Sequence, residues 1–272
     1  MSIIEIRSLS DPFPGLFYHL TDAQLRSRQE PEKGIFIAEG PKVVKTALST
    51  GLEPLSVLIR RKFIDGAGKE ILDLLGDVPI YTADDSVLSE ITGFRLQRSW
   101  ILCAFRRPPL KSAEALLQNA RRVAVLEGIT EPSNIGAIFR SAAALSIDAI
   151  LLSDTCCDPY HRRAVRVCMG SLFTIPFARP GSSLFPLLKQ YGFFCAGMAL
   201  RDPCLSIDDP SLSSKERLAI FLGTEDTGLS EETLQLCDAV VRIPMAPGID
   251  SLNVAAAGAI AFWQLRPRTD DN

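Results

Sequence analysis

The sequence contains few of the residues that most metal centres need. Only His19 and His161 are histidines, and the 7 cysteines form no C-x-x-C pair. Zinc sites use closely spaced cysteine and histidine ligands, so we expect no metal cluster. The cysteine count is odd and the first residues do not resemble a secretion signal, which together argue against a disulfide framework. We therefore expect a cytoplasmic protein with reduced thiols.

Long hydrophobic runs and an excess of positive charge are also missing. The apolar stretches end well before the roughly 18 residues that suggest a membrane helix. The 272 residues include 29 Lys and Arg against 32 Asp and Glu, which gives a net charge of −3. Nucleic-acid binding is not excluded, because Arg162, Arg163 and Arg166 form a local positive cluster. The alternative interpretation of such a cluster is an ordinary solvated face.

Two α/β regions are predicted on either side of a proline-containing segment. Strand and helix patterns alternate between residues 22 and 106 and again from residue 121 to the end. The consecutive prolines of RRPPLKS resist both helix and central strand. We therefore predict a smaller N-terminal α/β domain over 1–106, a linker over 107–120 and a second domain over 121–272. Strands alternating with helices of about ten residues predict a parallel sheet in the second domain, covered on both faces.

Several element boundaries follow from the same patterns. Thr21 and Asp22 are predicted to cap a first helix. The second domain is predicted to contain helices over 135–145 and 159–169 and a strand over 172–178 (LFTIPFA). Ser251 is predicted to open the last helix, whose many alanines and glycine would let another segment pack closely against it.

The first motif is EPSNIGAIFRSAAAL, residues 131–145. Asn134 stands where a helix cap is expected, and Gly136 keeps the start of that helix open to close approach. Arg140 is the single charge in the predicted helix. It is either a functional cation or an arginine that extends from a packed helix into water.

The second motif is FLGTEDTGLS, residues 221–230, in which a buried-type strand runs into a glycine-rich loop. No lysine follows Gly228, so the loop is not of the Walker type, and G-x-G-x-x-G is absent. Glu225 and Asp226 would repel a phosphate and favour a cationic ligand or hydrogen-bond donors. The alternative is a simple turn, with Ser230 capping the next helix.

The third motif, IPMAPGIDSLNV, spans residues 243–254 and also follows a strand. Ligands of parallel α/β sheets bind at the carboxyl ends of the strands. Because all three motifs follow strands of the predicted parallel sheet, we expect them to meet at one edge.

The three motifs together resemble one family. N-x-G-x-x-x-R in the first, L-G-x-E in the second and I-P-M with S-L-N-V in the third are similar to the SpoU (TrmH) family of RNA ribose 2′-O-methyltransferases, within the SPOUT superfamily. The resemblance extends from about Arg121 to Trp263. The segment from Leu25 to Gly51 is similar to the family's substrate-binding module, which itself resembles a small ribosomal RNA-binding protein.

This resemblance implies a fold, a cofactor and partners. The C-terminal domain would be a parallel-sheet SPOUT domain with a deep trefoil knot, and the N-terminal domain would bind RNA. S-adenosylmethionine would bind in the knot, and a homodimer would share its active sites. The substrate would be structured RNA, with ribosomal RNA favoured over transfer RNA.

The resemblance also assigns roles to residues. The predicted catalytic residues are Arg140, Glu225, Ser251 and Asn253. The predicted cofactor-binding residues are Leu222, Gly223, Ile243, Met245 and Leu252. The predicted RNA contacts are Asn134, Arg162, Arg163, Arg166, Arg26 and Arg28, with Lys42 and the cluster from Arg60 to Lys62 as further candidates.

The second motif departs from the family pattern at two positions, and the sequence is compatible with other functions. The second motif has Thr224 where the family commonly has asparagine and Asp226 where it has a second glycine, which predicts an altered loop. A transfer RNA 2′-O-methyltransferase and a non-catalytic RNA-binding homologue are the alternative functions. A nucleotide-dependent oxidoreductase is disfavoured because the glycine fingerprint is absent.

Overall fold

The computed structural model describes residues 3–11, 15–17, 34–93, 100–224, 226–248 and 251–267. The chain divides into two compact units. One contains Met1–Pro109 together with Tyr160–Phe173, and the other contains Leu110–Pro159 and Thr174–Asn272. The segment Tyr160–Phe173 therefore groups with the first unit, although it lies within the region from 121 onward that the sequence assigns to the second domain.

The first unit is built on a five-stranded mixed sheet with strand order β1-β4-β3-β5-β2. Its strands are β1 (Ile3–Glu5), β2 (Ile35–Glu39), β3 (Pro54–Arg60), β4 (Ile80–Ala83) and β5 (Ile101–Arg106). Its helices are α1 (Pro41–Ser49), α2 (Lys69–Asp73), α3 (Asp85–Thr92) and the helix Arg162–Val167 of the later segment, with short 3-10 turns at Gly15–Phe17, Arg61–Phe63 and Ser171–Phe173. β5 pairs antiparallel with both β2 and β3, whereas β4 pairs parallel with β1 and β3.

Apolar residues from β2, β3 and β5 form the core on one side of this sheet. Ile37, Leu58 and Leu102 are fully buried there with Ile91 of α3. Phe36, elsewhere on β2, lies 4.8 Å from Tyr160, ring centre to ring centre, and 5.5 Å from Phe173. These aromatic contacts explain why Tyr160–Phe173 belongs to this unit.

The second unit is built on a seven-stranded sheet in which every pairing is parallel. The strand order is β10-β12-β9-β11-β6-β7-β8. The strands are β6 (Arg122–Leu126), β7 (Ala149–Leu152), β8 (Phe177–Ala178), β9 (Phe194–Met198), β10 (Leu205–Ser206), β11 (Leu218–Leu222) and β12 (Ala239–Arg242). Residues of β6 and β11 are buried throughout, as expected for central strands covered on both faces. The predicted parallel sheet is confirmed.

Helices of the second unit alternate with its strands. In chain order, with Arg162–Val167 counted as α6, they are α4 (Ala113–Leu117), α5 (Pro132–Ala144), α7 (Leu184–Gln190), α8 (Pro210–Ser213), α9 (Glu231–Leu236) and α10 (Val254–Gln264), with a 3-10 turn at Gly181–Ser183. α10 packs against α5 and β11. The approach to β11 is close, because a Cβ added at Gly258 would lie 3.0 Å from a methyl carbon of Leu222.

Four predicted boundaries need correction. α5 begins at Pro132, capped by the Glu131 side chain, because proline suits the first helical position; Asn134 is not the cap. α10 begins at Val254 and its cap is Asn253, not Ser251. α6 is shorter than the predicted 159–169, since the His161 side chain caps it and it starts at Arg162. The predicted strand 172–178 shrinks to Phe177–Ala178, because Pro176 has no N–H to donate. The helix predicted after Thr21 lies outside the described residues.

Candidate active site

The three motifs lie at one edge of the seven-stranded sheet. β12, β9, β11 and β6 are consecutive neighbours in it, and all run in the same direction. The first motif lies beyond the carboxyl end of β6, the second runs out of β11, and the third follows β12. The sheet therefore brings together segments that are separated by up to about a hundred residues in the sequence.

A cavity of about 580 Å³ opens at this edge. All five residues predicted to bind the cofactor line it, and so does one predicted catalytic residue. They are Leu222, Gly223, Ile243, Met245, Leu252 and Ser251. Its size falls within the range of small-molecule sites, which is about 300–1,000 Å³.

One wall of the cavity was not predicted. Met198, Ala199, Leu200 and Arg201, which follow β9, also line it. Chain order did not reveal this segment, because β9 lies between β11 and β12 in space but precedes both in the sequence. The sequence does contain one indication of this wall, because the strand β9 is followed by a polar turn at Arg201, as expected at the edge of the sheet.

The loop of the second motif is folded back on itself. Thr224 and Gly228 exchange two backbone hydrogen bonds, of 3.0 and 3.1 Å, and the Thr224 hydroxyl accepts a 3.0 Å bond from the Thr227 amide. A Cβ added at Gly223 would lie 2.1 Å from the carbonyl carbon of Gly228, so the loop requires glycine there. Thr224 thus supports a closed loop at the position where the family pattern has asparagine. Glu225 lies outside the described residues.

Asn253 links the third motif to the first. Its side-chain oxygen accepts hydrogen bonds from the amides of Ala255 (3.0 Å) and Ala256 (3.4 Å), which caps α10. Its Nδ2 donates a 3.0 Å hydrogen bond to the side-chain oxygen of Asn134. Since the oxygen is occupied by helix amides, the Nδ2 group is the one available to Asn134. The structure therefore places Asn134 in contact with another motif.

Arg140 is not part of the same chain's cavity wall. It is exposed on α5, six residues beyond Asn134, and does not line the cavity. No hydrogen bond or ion pair holds its guanidinium within the described part of the chain. Arg140 is thus an exposed cation on α5.

Charged side chains line part of the cavity. Arg201 forms an ion pair with Glu231. The hydrogen bond from Arg201, with a second from Gln235, lowers the pKa of Glu231 below its ordinary value. Asp226 is exposed at the same cavity. The lining therefore offers carboxylates, backbone groups and apolar side chains together.

The predicted RNA-binding arginines do not share one environment. Arg162 is only 3% exposed, and its Nη2 lies 3.4 Å from the carboxylate of the buried Glu39. Arg166 is 62% exposed and lies 3.5 Å from the same carboxylate, while Arg163 is exposed. This corrects the expectation for Arg162, because a buried and paired guanidinium cannot reach a phosphate. Arg26 and Arg28 lie outside the described residues.

The N-terminal cluster of basic residues is largely neutralised. Arg60 donates a 2.6 Å hydrogen bond to Asp85, and Arg61 forms ion pairs with Glu5 and Asp84. Lys62 remains exposed beside the ring of Phe63. The net positive charge of this cluster is therefore smaller than its three adjacent cations suggest.

No group of three or more His, Cys, Asp or Glu side chains among the described residues is arranged to hold a metal ion. No helix in the described part of the chain is long and apolar enough to cross a membrane.

Comparison with known proteins explains the arrangement of motifs. The model of the SpoU rRNA Methylase family matches residues 121–263. The chain belongs to this family. An uncharacterized tRNA/rRNA methyltransferase of Mycobacterium bovis is 36% identical, over 97% of this chain and 92% of that protein. The 23S rRNA (guanosine(2553)-2′-O)-methyltransferase RlmP of Bacillus subtilis is 26% identical, over 89% of this chain and 93% of that protein.

The fold is also shared with solved structures of methyltransferases. The AdoMet-bound rRNA methyltransferase from Sinorhizobium meliloti superposes with a TM-score of 0.82, at 24% identity and over 97% of both chains. The SpoU methyltransferase AviRb from Streptomyces viridochromogenes, in complex with AdoMet, gives a TM-score of 0.76 at 24% identity, over 89% of this chain and 94% of that chain. These similarities confirm the predicted α/β fold with parallel strands.

Proposed function

We propose that this protein transfers a methyl group from S-adenosylmethionine to a ribose 2′-hydroxyl of ribosomal RNA. The observation that carries the proposal is the cavity, whose lining contains every residue that the family motifs assign to cofactor binding. Membership of the SpoU rRNA methylase family and similarity to a named 23S rRNA 2′-O-methyltransferase support the reaction and the substrate class.

The cavity suits S-adenosylmethionine in size and chemistry. Its volume of about 580 Å³ is that of a site for a drug-sized ligand. Leu222, Ile243, Met245 and Leu252 would hold the adenosine between apolar side chains and backbone groups, and Gly223 keeps the loop close beside them. Asp226 provides negative charge near a ligand that carries a sulfonium. When bound, the cofactor supplies an electrophilic methyl group.

The protein side chains position the reacting groups and stabilise the charge that develops during methyl transfer. An in-line displacement depends strongly on holding the attacking oxygen in line. The 2′-hydroxyl must pass its proton to water as the methyl group is transferred, because a guanidinium stays protonated at neutral pH and is a poor base. Arg140 therefore stabilises the developing alkoxide and orients a neighbouring phosphate. Ser251 and Asn253 orient the reacting groups, and Glu225 holds one of them by a charge-assisted hydrogen bond.

Arg140 reaches the reaction from a second subunit in this proposal. It is exposed and does not line the cavity of its own chain. α10, which packs against α5, carries an exposed apolar face. On that face, Ile260 is 40% exposed and Trp263 is 56% exposed. Exposed apolar residues of this kind are suited to contact a partner. A homodimer through α5 and α10 would cover this face and bring Arg140 of one chain to the other chain's cavity.

The proposal includes a fold detail and an RNA surface. A trefoil knot in the region 121–272 is supported by membership of the family. The domain before residue 107 would bind the RNA, with Arg26 and Arg28 among its contacts. Arg163 and Arg166 would contact phosphates, which their exposure permits. The cytoplasmic location remains a prediction.

Transfer of a labelled methyl group tests the function. The protein is incubated with methyl-tritiated S-adenosylmethionine and either ribosomal or transfer RNA, and the product is hydrolysed with alkali. Ribose 2′-O-methylation blocks cleavage at the modified position, so the label should appear in alkali-resistant dinucleotides from ribosomal RNA. Label in mononucleotides would contradict 2′-O-transfer, label in transfer RNA alone would replace the substrate, and binding of RNA without labelling would identify a non-catalytic homologue.

A further inference from the structure

Glu127, the first residue after β6, contacts both ends of the cavity loop formed by residues 223–229. Its backbone N–H donates a 2.9 Å hydrogen bond to the carbonyl of Leu222, the residue before the loop. Its carboxylate accepts a 2.9 Å hydrogen bond from the amide of Ser230, the residue after the loop. One residue at the end of β6 therefore contacts both the start and the end of the second-motif loop.

The second carboxylate oxygen completes this arrangement. It accepts a 2.5 Å hydrogen bond from the hydroxyl of Thr233. Ser230 caps α9, since its hydroxyl oxygen accepts a 3.2 Å bond from the Thr233 amide. Many helices that start with serine have glutamate three residues later, and that glutamate bonds back to the amide of the cap. Here the third position is Thr233, and Glu127 supplies the missing carboxylate from a different strand.

We propose that Glu127 is the positioning residue for the cofactor-binding loop, and this inference rests on the proposed function of the cavity. Six of the loop's residues line the cavity, namely Gly223, Thr224, Asp226, Thr227, Gly228 and Leu229. Glu127 itself is not among the residues that line it. It therefore acts through the loop: with both ends fixed, the loop holds its binding conformation before the cofactor arrives, which reduces the ordering cost of binding.

The geometry predicts an order among variants at this position. In Glu127→Gln the amide oxygen still accepts from the Ser230 N–H, and the amide NH2 donates to the Thr233 hydroxyl once that hydroxyl rotates. This variant retains the geometry and should bind S-adenosylmethionine within about threefold of wild type. Glu127→Asp is one methylene too short to keep both contacts. Glu127→Ala loses both and should bind about tenfold or more weakly.

The control variant removes an equivalent cap elsewhere in the same unit. Asp209 caps α8, because its Oδ1 accepts a 2.8 Å hydrogen bond from the Ser211 amide. It does not line the cavity. Asp209→Ala should lower thermal stability by an amount similar to Glu127→Ala, yet leave cofactor affinity unchanged.

Two measurements on the full chain test the inference. Calorimetric titration with S-adenosylmethionine should give the affinity order wild type, Gln, Asp and Ala at position 127, with KM for RNA unchanged. Hydrogen exchange without any ligand should show faster exchange of amides 223–230 in Glu127→Ala only. Equal affinity for wild type and Glu127→Ala, or unaltered exchange in that loop, would overturn the inference. Failure of the proposed function gives a different result, because the wild type itself would then bind no S-adenosylmethionine. The hydrogen-exchange measurement needs no ligand and therefore tests the role of Glu127 independently.

Discussion

The two units use their charged residues in opposite ways. In the first, carboxylates neutralise the cations that the sequence groups together, as in the pairs Arg60–Asp85 and Arg162–Glu39. In the second, parallel strands carry three motifs to one edge and leave Arg140 exposed, with no partner among the described residues. Cations that are adjacent in the sequence therefore do not by themselves predict a surface of unpaired positive charge.

The largest expected effect is the loss of turnover in Arg140→Ala. Removing a group that stabilises charge in the transition state lowers kcat by about 100- to 1,000-fold. The fold should not change, because Arg140 is exposed. Steady-state methylation kinetics measure the effect. Arg121→Ala, which removes an exposed arginine from the same unit, is the control. Full activity of Arg140→Ala would contradict the functional role that distinguishes Arg140 from the paired cations of the first unit.

Arg162→Ala should instead act on stability. It would leave the buried carboxylate of Glu39 without its buried partner, and breaking a buried ion pair costs about 3–5 kcal/mol. Chemical denaturation measures the free energy of unfolding. Arg163→Ala, at an exposed neighbour, should change that free energy by less than about 0.5 kcal/mol. The distinction between buried and exposed arginines fails if the two variants are equally stable.

Asn253→Ala should lower the stability of the protein through the loss of two contacts. It removes the cap of α10, which costs about 0.5–2 kcal/mol, together with the hydrogen bond to Asn134. Asn134→Ala removes that hydrogen bond but keeps the cap, so we expect a smaller loss of about 1 kcal/mol. Thermal denaturation of both variants and of the double variant gives the coupling energy. Strict additivity would show that the two motifs are not linked through this contact.

The smallest effect concerns acid stability of the first unit. The side-chain hydrogen bonds from Arg60 lower the pKa of Asp85 below its ordinary value. The resulting stabilisation is present above the unfolded pKa, near 4, and is lost as the pH falls through the folded value. Because Asp85 is 61% exposed, we expect less than about 1 kcal/mol. Asp85→Asn should remove this part of the pH dependence when unfolding is followed between neutral and acidic pH. An unchanged dependence would show that the pair does not contribute.

The sequence predicted the parallel sheet because its strands depend on local patterns, and the family resemblance named five residues that line the cavity. Apolar runs followed by polar loops mark strand ends, and parallel strands bring those ends together. It did not predict the wall after β9, because strand order in space cannot be read from chain order. It also misjudged Arg162, whose partner Glu39 lies more than a hundred residues earlier. The sequence did not predict a role for Glu127 for the same reason, since that role depends on Ser230 and Thr233 in a distant segment.

Calorimetric titration of wild type and Gly223→Ala with S-adenosylmethionine tests the central claim most directly. A Cβ at Gly223 would lie 2.1 Å from the backbone of Gly228, so the loop must move and the cavity must change shape. Gly66→Ala, at a glycine whose added Cβ would meet nothing within 4 Å, is the control. The account predicts one cofactor bound per chain in wild type and in the control, and a loss of affinity of at least about tenfold in Gly223→Ala. Equal affinity in all three proteins would contradict it.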